Sequence, residues 1–449
     1  MNSTTTTATM HPTYIGPDKV LEKRKQYFFP CTHHFYQDPP QIVQGSMHKL
    51  IDHTGKEYTD FFAGVSVVAC GHCNEHITTK TIEQLTKLQH TTTIYLTEPM
   101  VELAERLAND YLPGELKRTF FCNSGSEANE GALLLARLHT KRKDFLALEY
   151  GLHGRTFLTM GVTGMPMWRT DDYLDPHVTF IPRPYDEEMD TEDAAHRSIA
   201  ALRQVLAEKG DTFAAMIVEP IQGNGGIIVP PDWYLREVKA LLSEYGVLLI
   251  ADEIQTGFGR TGRMFAMDHY EIAPDIITMA KALGNGVPIG AFATTDAIAA
   301  SFNRPSASTF GGNPVSAATA MAVLDYIEQE QLVARSAELG GQLKDGLRAL
   351  QVKHSVIADV RGKGLMVGAE LNTGEASLNA ALTDRVLESM KHRGYLIGKN
   401  GVGRNVLAFQ PPLIMPEDEI QTMLSVLDEV LSEAVYTDEE RGSKDGRDS

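Results

Sequence analysis

Two polar groups stand at the ends of two apolar runs. Val247-Leu248-Leu249-Ile250-Ala251 leads into Asp252-Glu253-Ile254-Gln255-Thr256-Gly257, and Ile276-Ile277-Thr278-Met279-Ala280 leads into Lys281-Ala282-Leu283-Gly284. Apolar, partly β-branched runs of this length suit strands covered on both faces. Two buried strands would thus end in reactive groups, an acid from one and an amine from the other. A lysine beside an apolar strand can shed its proton and act as a nucleophile. An aspartate nearby can hold a protonated ring nitrogen.

That pair is what pyridoxal 5′-phosphate (PLP) needs: a Schiff-base lysine and an acidic partner for the pyridinium. Two turns fit the same cofactor. Phe120-Phe121-Cys122-Asn123-Ser124-Gly125-Ser126-Glu127-Ala128 reads as strand, tight turn and helix start. Its small residues expose backbone N–H groups at a helix N-terminus, which suits a phosphate, although many βα loops look similar. Ser308-Thr309-Phe310-Gly311-Gly312-Asn313-Pro314 is a second turn rich in hydroxyls and glycines. Each feature alone has a plainer reading. A strand-end aspartate is more often a helix N-cap, a lysine after a strand is usually solvated, and a Ser-Gly turn is usually just a turn. The plain readings do not account for all of them together.

In order and spacing these motifs resemble the class III aminotransferase family of PLP enzymes, from about Tyr36 to Leu431. The resemblance implies a fold type I PLP-dependent transferase architecture of α/β class. Its large domain would hold a mostly parallel sheet, beside a smaller α+β domain. It also implies a homodimer with shared active sites and a small-molecule amine as substrate. Carried over by position, Lys281 would bond the cofactor and shuttle a proton, and Asp252 would pair with the pyridine nitrogen. Gln255 would contact the ring hydroxyl. Gly125 and Ser126 would hold the phosphate, joined by Thr309 from a second subunit. In Tyr150-Gly151-Leu152-His153-Gly154-Arg155-Thr156, Leu152 takes the place of an aromatic residue that stacks on the ring in many members. The ring's neighbour would then be Leu152, His153 or an aromatic from elsewhere.

Two further departures bear on the reaction. Members that transaminate α-amino acids often carry an arginine three residues before Pro-Pro, gripping the carboxylate in a bidentate pair. In Val406-Leu407-Ala408-Phe409-Gln410-Pro411-Pro412 that place holds Ala408. A glutamate that gates this arginine in some relatives is replaced by Asn224 in Glu219-Pro220-Ile221-Gln222-Gly223-Asn224. Losing such a clamp removes an interaction worth ~2–5 kcal/mol where the alternative is an unpaired carboxylate. An elimination that frees ammonia needs no oxo-acid acceptor and therefore no clamp. The chain looks most similar to the amine/phosphonate lyase-like branch, of (R)-1-hydroxy-2-aminoethylphosphonate ammonia-lyase type, which belongs to phosphonate catabolism. The alternative is an ω-amino acid or amine:2-oxo acid aminotransferase. Arg404 is the candidate for the substrate's anionic group, ahead of Lys399 and Arg169. A non-catalytic binding relative is a third reading, against which the intact lysine, aspartate and phosphate turns argue.

The elements that must position these residues follow an alternating pattern. Candidate strands are Thr119–Cys122, Phe145–Leu148, Val178–Ile181, Ala215–Val218, Val247–Ala251, Ile276–Met279 and Gly290–Thr294, with helical stretches between. Such alternation predicts a mostly parallel α/β sheet. Short strands are expected at Met47–Asp52 and Glu57–Phe61 and a helix over Met100–Leu112. Later helices are expected over Val315–Val333, Leu339–Leu350, Leu382–Lys391 and Glu417–Ala434, with a strand at Leu365–Leu371. The domain division read from this is an N-terminal segment of the small domain over 1–75, a large PLP-binding domain over 76–333, and a small α+β domain over 334–449.

The chain's 449 residues suffice for a large buried core. A formal net charge of −18 argues against nucleic acid or an anionic membrane as partner. There is no apolar run of membrane-spanning length and no signal-peptide pattern, and Cys31, Cys70, Cys73 and Cys122 are too scattered for a disulfide scaffold, so a reducing cytoplasm is expected. Cys70-Gly71-His72-Cys73 lacks the second ligand pair a zinc site needs, and no metal is expected. The Thr-rich segment Met1–Met10 and the charged tail Asp438–Ser449 are expected to be unstructured.

Overall fold

The computed structural model describes residues 14–174 and 177–445, with side chains described as far as residue 434. At its centre is a seven-stranded sheet. In chain order the strands are β1 (Arg118–Cys122), β2 (Asp144–Leu148), β3 (Val178–Ile181), β4 (Phe213–Val218), β5 (Leu248–Asp252), β6 (Ile276–Met279) and β7 (Gly290–Thr294). Their order across the sheet is β1-β7-β6-β5-β4-β2-β3. The pairs from β6 through β3 are parallel, and β7 runs antiparallel to both β1 and β6. All seven strands expected from the sequence are present, β3, β6 and β7 with the expected ends and the other four displaced by one or two residues. The architecture is that of fold type I PLP-dependent enzymes.

The strand residues divide between two apolar layers, as a period of two requires. Met216 and Val218 of β4 and Leu249 and Ala251 of β5 pack into one layer. Ala215, Ile217 and Ile250 pack into the other. With both faces covered, the sheet's polar chemistry is confined to the strand ends. In open α/β sheets ligands bind beyond the carboxyl ends. Asp252 closes β5, Lys281 follows β6 by two residues, and the turn after β1 opens the helix Gly125–Thr140.

Two four-stranded sheets flank this core. One joins Ile42–Ser46, Lys49–Asp52 and Glu57–Asp60 to Tyr395–Leu396, which pairs in parallel with Glu57–Asp60. The other joins Ile357–Lys363, Met366–Leu371, Val406–Phe409 and Gly398–Asn400.

Several expected boundaries move for local reasons. The strand expected from Met47 starts at Lys49, because Met47 has φ 51°, outside the strand region. The strand before it, Ile42–Ser46, was not foreseen. The helix expected over Met100–Leu112 begins at Glu98 and passes into a π-helical turn at Leu107–Tyr111. The stretch Val315–Val333 is two helices, Pro314–Gln329 and Leu332–Lys353, broken where Gln331 takes φ 52°. The last helix runs Glu417–Asp445, into the tail expected to be unstructured. Glutamate and arginine are good helix formers and can carry a helix past its packed part. The Met1–Met10 expectation lies outside the described residues. Among the described residues no helix is long and apolar enough to cross a membrane.

Candidate active site

A cavity of about 690 Å³ opens at the carboxyl ends of β1, β2, β5 and β6. Its floor is organised around Asp252, which is 3% exposed. Asp252 Oδ2 accepts from His153 Nδ1 at 2.7 Å and from Asn129 Nδ2 at 2.8 Å, while Oδ1 accepts from the Ile254 backbone N–H at 3.2 Å. Asn129, fully buried on the helix Gly125–Thr140, also donates to the His153 carbonyl at 2.7 Å and accepts from Thr278 Oγ1 of β6 at 2.7 Å. Four elements therefore fix one carboxylate. Its Oδ1 keeps acceptor capacity, and Asp252 lies on the cavity lining. His153 Nε2 is buried and has no hydrogen-bond partner among the described residues.

Lys281 enters from the next strand. It has φ 47°, a left-handed conformation that costs energy for a lysine and persists only where its surroundings fix it. The following residues form a 3₁₀ turn ending at Asn285, whose side chain bonds the backbone of Cys70 and Gly71. Burial pushes the Lys281 pKa down, and the Asp252 and Glu219 charges act against that shift. A neutral amine becomes more accessible. Glu219 ends β4's apolar run and accepts from Leu152 N–H at 2.8 Å and Gly223 N–H at 2.9 Å. Burial raises its pKa.

At one end of the cavity the helix Gly125–Thr140 begins, capped by Ser124 through the Glu127 N–H. Gly125 and Ser126 lie on the lining. A Cβ on Gly125 would stand 2.8 Å from Ile254 Cδ1, so glycine lets that side chain lie close against the turn. Ser126 Oγ accepts from the Arg155 N–H at 3.2 Å. A helix start with small residues and a nearby hydroxyl can receive a phosphate. With an acceptor at Asp252, an amine at Lys281 and this turn, the residues present fit PLP.

The other candidates are placed as follows. Leu152 and His153 both line the cavity, whose aromatic side chains are Phe35, Phe62 and Trp168. Gln255 lines it too and donates through Nε2 to Gln410 Oε1 at 3.2 Å. Thr309 is exposed and outside the lining, on a turn held by Ser308 Oγ, which accepts from Gly311 N–H at 3.0 Å and Asn123 Nδ2 at 3.1 Å. Arg404 does not reach the place expected of it. It is exposed and outside the lining, because Gly401–Arg404 forms a surface turn closed by Arg404 N–H to Gly401 O at 3.1 Å. Lys399 is paired with Asp384, and Arg169 spends its guanidinium on the carbonyls of Met160, Gly161 and Thr163. The arginine on the lining is Arg155.

Ala408 is fully buried in an apolar cluster with Ile221, Ile227 and Met366, against which Phe62 packs. Asn224 accepts from the Trp168 indole N–H at 3.1 Å. The C-x-x-C motif is divided: Cys70 is buried with its thiol pushed up by that burial, and Cys73 is exposed. The next residue, Asn74, caps the helix Glu75–Lys87. A second, open cleft of about 370 Å³, lined by Arg142, Lys239 and Asp275, lies at the amino ends of β5 and β6. That is the opposite end of the sheet from Lys281.

Sequence reasoning missed Asn129, Glu219, Arg155 and Trp168. Asn129 lies four residues after Gly125, on the same helix face, and Glu219 follows an apolar run just as Asp252 does. No comparable signal marks Trp168.

A carboxylate fixed from four elements, an amine two residues past the adjacent strand and a helix start beyond them form the floor of a fold type I PLP-dependent enzyme. The family profile of class-III aminotransferases matches residues 37–431, and the chain belongs to that family, whose cofactor is PLP. It is 40% identical over 429 residues to the alanine–glyoxylate aminotransferase 2 homolog 2, mitochondrial, of Arabidopsis thaliana, covering 94% of this chain and 89% of that protein. To the acetylornithine aminotransferase of Methanocaldococcus jannaschii it is 38% identical over 403 residues, covering 88% and 94%. A solved phospholyase from Arthrobacter, in complex with phosphoethanolamine, superposes with a TM-score of 0.85 at 33% identity, covering 92% of this chain and 99% of that one. The curated relatives are named aminotransferases, and the phospholyase shares this chain's fold.

Proposed function

We propose that this enzyme is a PLP-dependent lyase that releases ammonia from a small primary amine carrying a β-leaving group and an anionic head. The observation behind this reading is the missing clamp. Ala408 is sealed in an apolar cluster, and Asn224 is engaged with Trp168. Transamination must seat an oxo acid after the amine has left, and its carboxylate would find no arginine at that wall. Elimination seats one substrate only. For a hydroxy-aminoethylphosphonate, loss of water gives an enamine, and addition of water then gives an aldehyde and ammonia. The phospholyase neighbour, solved with phosphoethanolamine, supports the class.

Bound in the cavity, PLP would supply an electron sink for the carbon next to nitrogen. Lys281, its amine pushed by burial below its ordinary pKa, would take the proton from that carbon. Asp252, oriented by His153 and Asn129, would hold the proton on the pyridine nitrogen. Gln255 would meet the ring hydroxyl. Gly125 and Ser126, with Thr309 of a second copy, would hold the phosphate. Arg155 would take the anionic head in place of Arg404. Exposed Ile94, Tyr95, Leu96 and Phe310 offer an apolar surface in keeping with a homodimer. Four free cysteines are in keeping with a cytoplasmic location.

The second reading is an amine:2-oxo acid aminotransferase, favoured by the names of the curated relatives. Incubation with 2-aminoethyl phosphate or 1-hydroxy-2-aminoethylphosphonate, with and without pyruvate, separates the two. Ammonia and aldehyde without pyruvate support the lyase. Turnover that requires pyruvate and yields alanine one for one replaces it with the aminotransferase.

A further inference from the structure

The loop Gly223–Gly226 forms the cavity wall that carries Asn224, and all four of its consecutive carbonyls are taken. Gly223 O accepts from Asn400 Nδ2 at 3.0 Å, Asn224 O from the Gly401 N–H at 3.0 Å, Gly225 O from Arg183 Nη1 at 2.9 Å and Gly226 O from Arg361 Nε at 2.9 Å. Three of these donors come from the C-terminal part of the chain. Arg361 is itself held hard. It pairs with Glu370 at 2.6 Å and Asp359 at 2.7 Å and lies over the Tyr185 ring at 4.6 Å. Arg183 lies between the rings of Tyr150 and Tyr185, at 4.7 and 4.9 Å. Two guanidiniums, one buried at Arg183 and one mostly buried at Arg361, committed to the carbonyls of one short loop are more than turn geometry requires, since a turn is closed by its own backbone.

We propose that Arg361 is a positioning residue. It touches neither cofactor nor substrate, but it fixes the Gly223–Gly226 loop so that Asn224 receives the Trp168 indole N–H. It thereby sets the wall that meets the far end of the substrate. This rests on the cavity being the substrate site and holds for either reaction.

The chain's two tryptophans make a direct test available. Trp233, bonded to Glu192 away from the cavity, is replaced by phenylalanine, leaving Trp168 as the reporter in the holoenzyme. Asn224→Ala defines the emission shift that follows loss of the indole's acceptor. Arg361→Lys keeps a positive charge beside Glu370 and Asp359 but lacks the planar N–H fork. It is expected to shift the emission in the same direction, and the double variant is expected to shift no further than Asn224→Ala alone. Gly226→Ala attacks the contact from the other side, since its Cβ would stand 3.2 Å from Arg361 Nη2 at φ +117°, and should reproduce the shift. The proposal is overturned if Arg361→Lys and Gly226→Ala leave the emission at the parent's value, if the shifts simply add, or if Asn224→Ala produces none. In a titration with 2-aminoethyl phosphate, Arg361→Lys should raise the apparent Kd about tenfold, the loss of one good hydrogen bond. A parent enzyme that does not bind this amine counts against the proposed function, while the emission data still decide the role of Arg361.

Discussion

Replacing Asp252 with asparagine preserves the shape of the floor and removes its charge. Oδ2 takes two donors, from His153 and Asn129, and Oδ1 takes one from Ile254. The less costly placement leaves the amide oxygen at the Oδ2 position and the NH₂ at the Oδ1 position. That NH₂ then opposes the Ile254 N–H, while a ring nitrogen presented from the cavity would lose its proton and accept from it. Two bonds lose their charge assistance, at about 1 kcal/mol each, and one donor is left opposed, at about 1–3 kcal/mol. The sum is about 3–5 kcal/mol, which is a loss of roughly 10²- to 10⁴-fold if it falls on the reacting state. The assay is turnover per bound cofactor, with cofactor content measured by release. A second readout follows from Lys281, whose pKa Asp252 holds up against burial. In the apo variant Lys281 should become reactive toward an amine-modifying reagent at lower pH than in the parent, read by mass spectrometry of its peptide. Turnover near the parent's, or a Lys281 profile that stays put or moves up, would refute the reasoning.

Other consequences can be measured separately. Lys281→Ala should abolish turnover and leave no borohydride-stable link between PLP and the chain; a link formed through another lysine would contradict the assignment. Thr309→Val should weaken PLP binding about tenfold by loss of one hydrogen bond, and the active species should sediment as at least a dimer. Mixing Thr309→Val with Lys281→Ala subunits should restore one intact site per hybrid, and no recovery on mixing would count against a role across the boundary. Glu253, fully buried, has its pKa pushed by desolvation from 4.5 to about 7. Between those values the folded state binds the extra proton, so this stabilisation is complete below the lower pKa and lost as pH rises through the upper one. Glu253→Gln should therefore raise the Tm at pH 8, by an amount on the order of 3 kcal/mol in stability, and change little at pH 4.5. An equal effect at both pH values would show that the carboxyl is not titrating in this window.

How much of this was legible depends on where each residue sits in sequence. Asp252 and Lys281 announce themselves because each ends or closely follows an apolar run of strand length whose side chains are almost all committed to the core. The seven strands were readable for the same reason. Boundaries slipped where a single residue adopts positive φ, as at Met47 and Gln331, since neither residue type signals that conformation. Arg155 lines the cavity and Arg404 does not, although both are exposed and both follow a glycine, because only the tertiary packing of each turn decides which one faces the cavity. Trp168 ends a single 3₁₀ turn, Pro166–Trp168, too short to show a periodicity, and its indole partner is 56 residues away.

The catalytic floor and the cavity wall answer different questions. The floor is assembled at the ends of adjacent strands of one sheet, where spacing is set by backbone hydrogen bonding at about 4.8 Å per strand. Such a floor serves any reaction that withdraws electrons from the carbon next to an amine, so it cannot separate transfer from elimination. That distinction falls to the wall, where the Gly223–Gly226 loop meets Asn400, Gly401 and Arg361 from the C-terminal part of the chain. A glutamate at position 224 would bring a charge that needs a cationic partner, and an arginine at position 408 would need to escape a cluster of Ile221, Ile227 and Met366. Neither demand arises with asparagine and alanine, so the two substitutions are compatible as a pair and costly apart. Restoring only the arginine, as Ala408→Arg, should therefore destabilise the protein without conferring use of an oxo acid. An Ala408→Arg variant of parental stability that transaminates pyruvate would show that the wall tolerates the clamp, and the argument for elimination from its absence would fall.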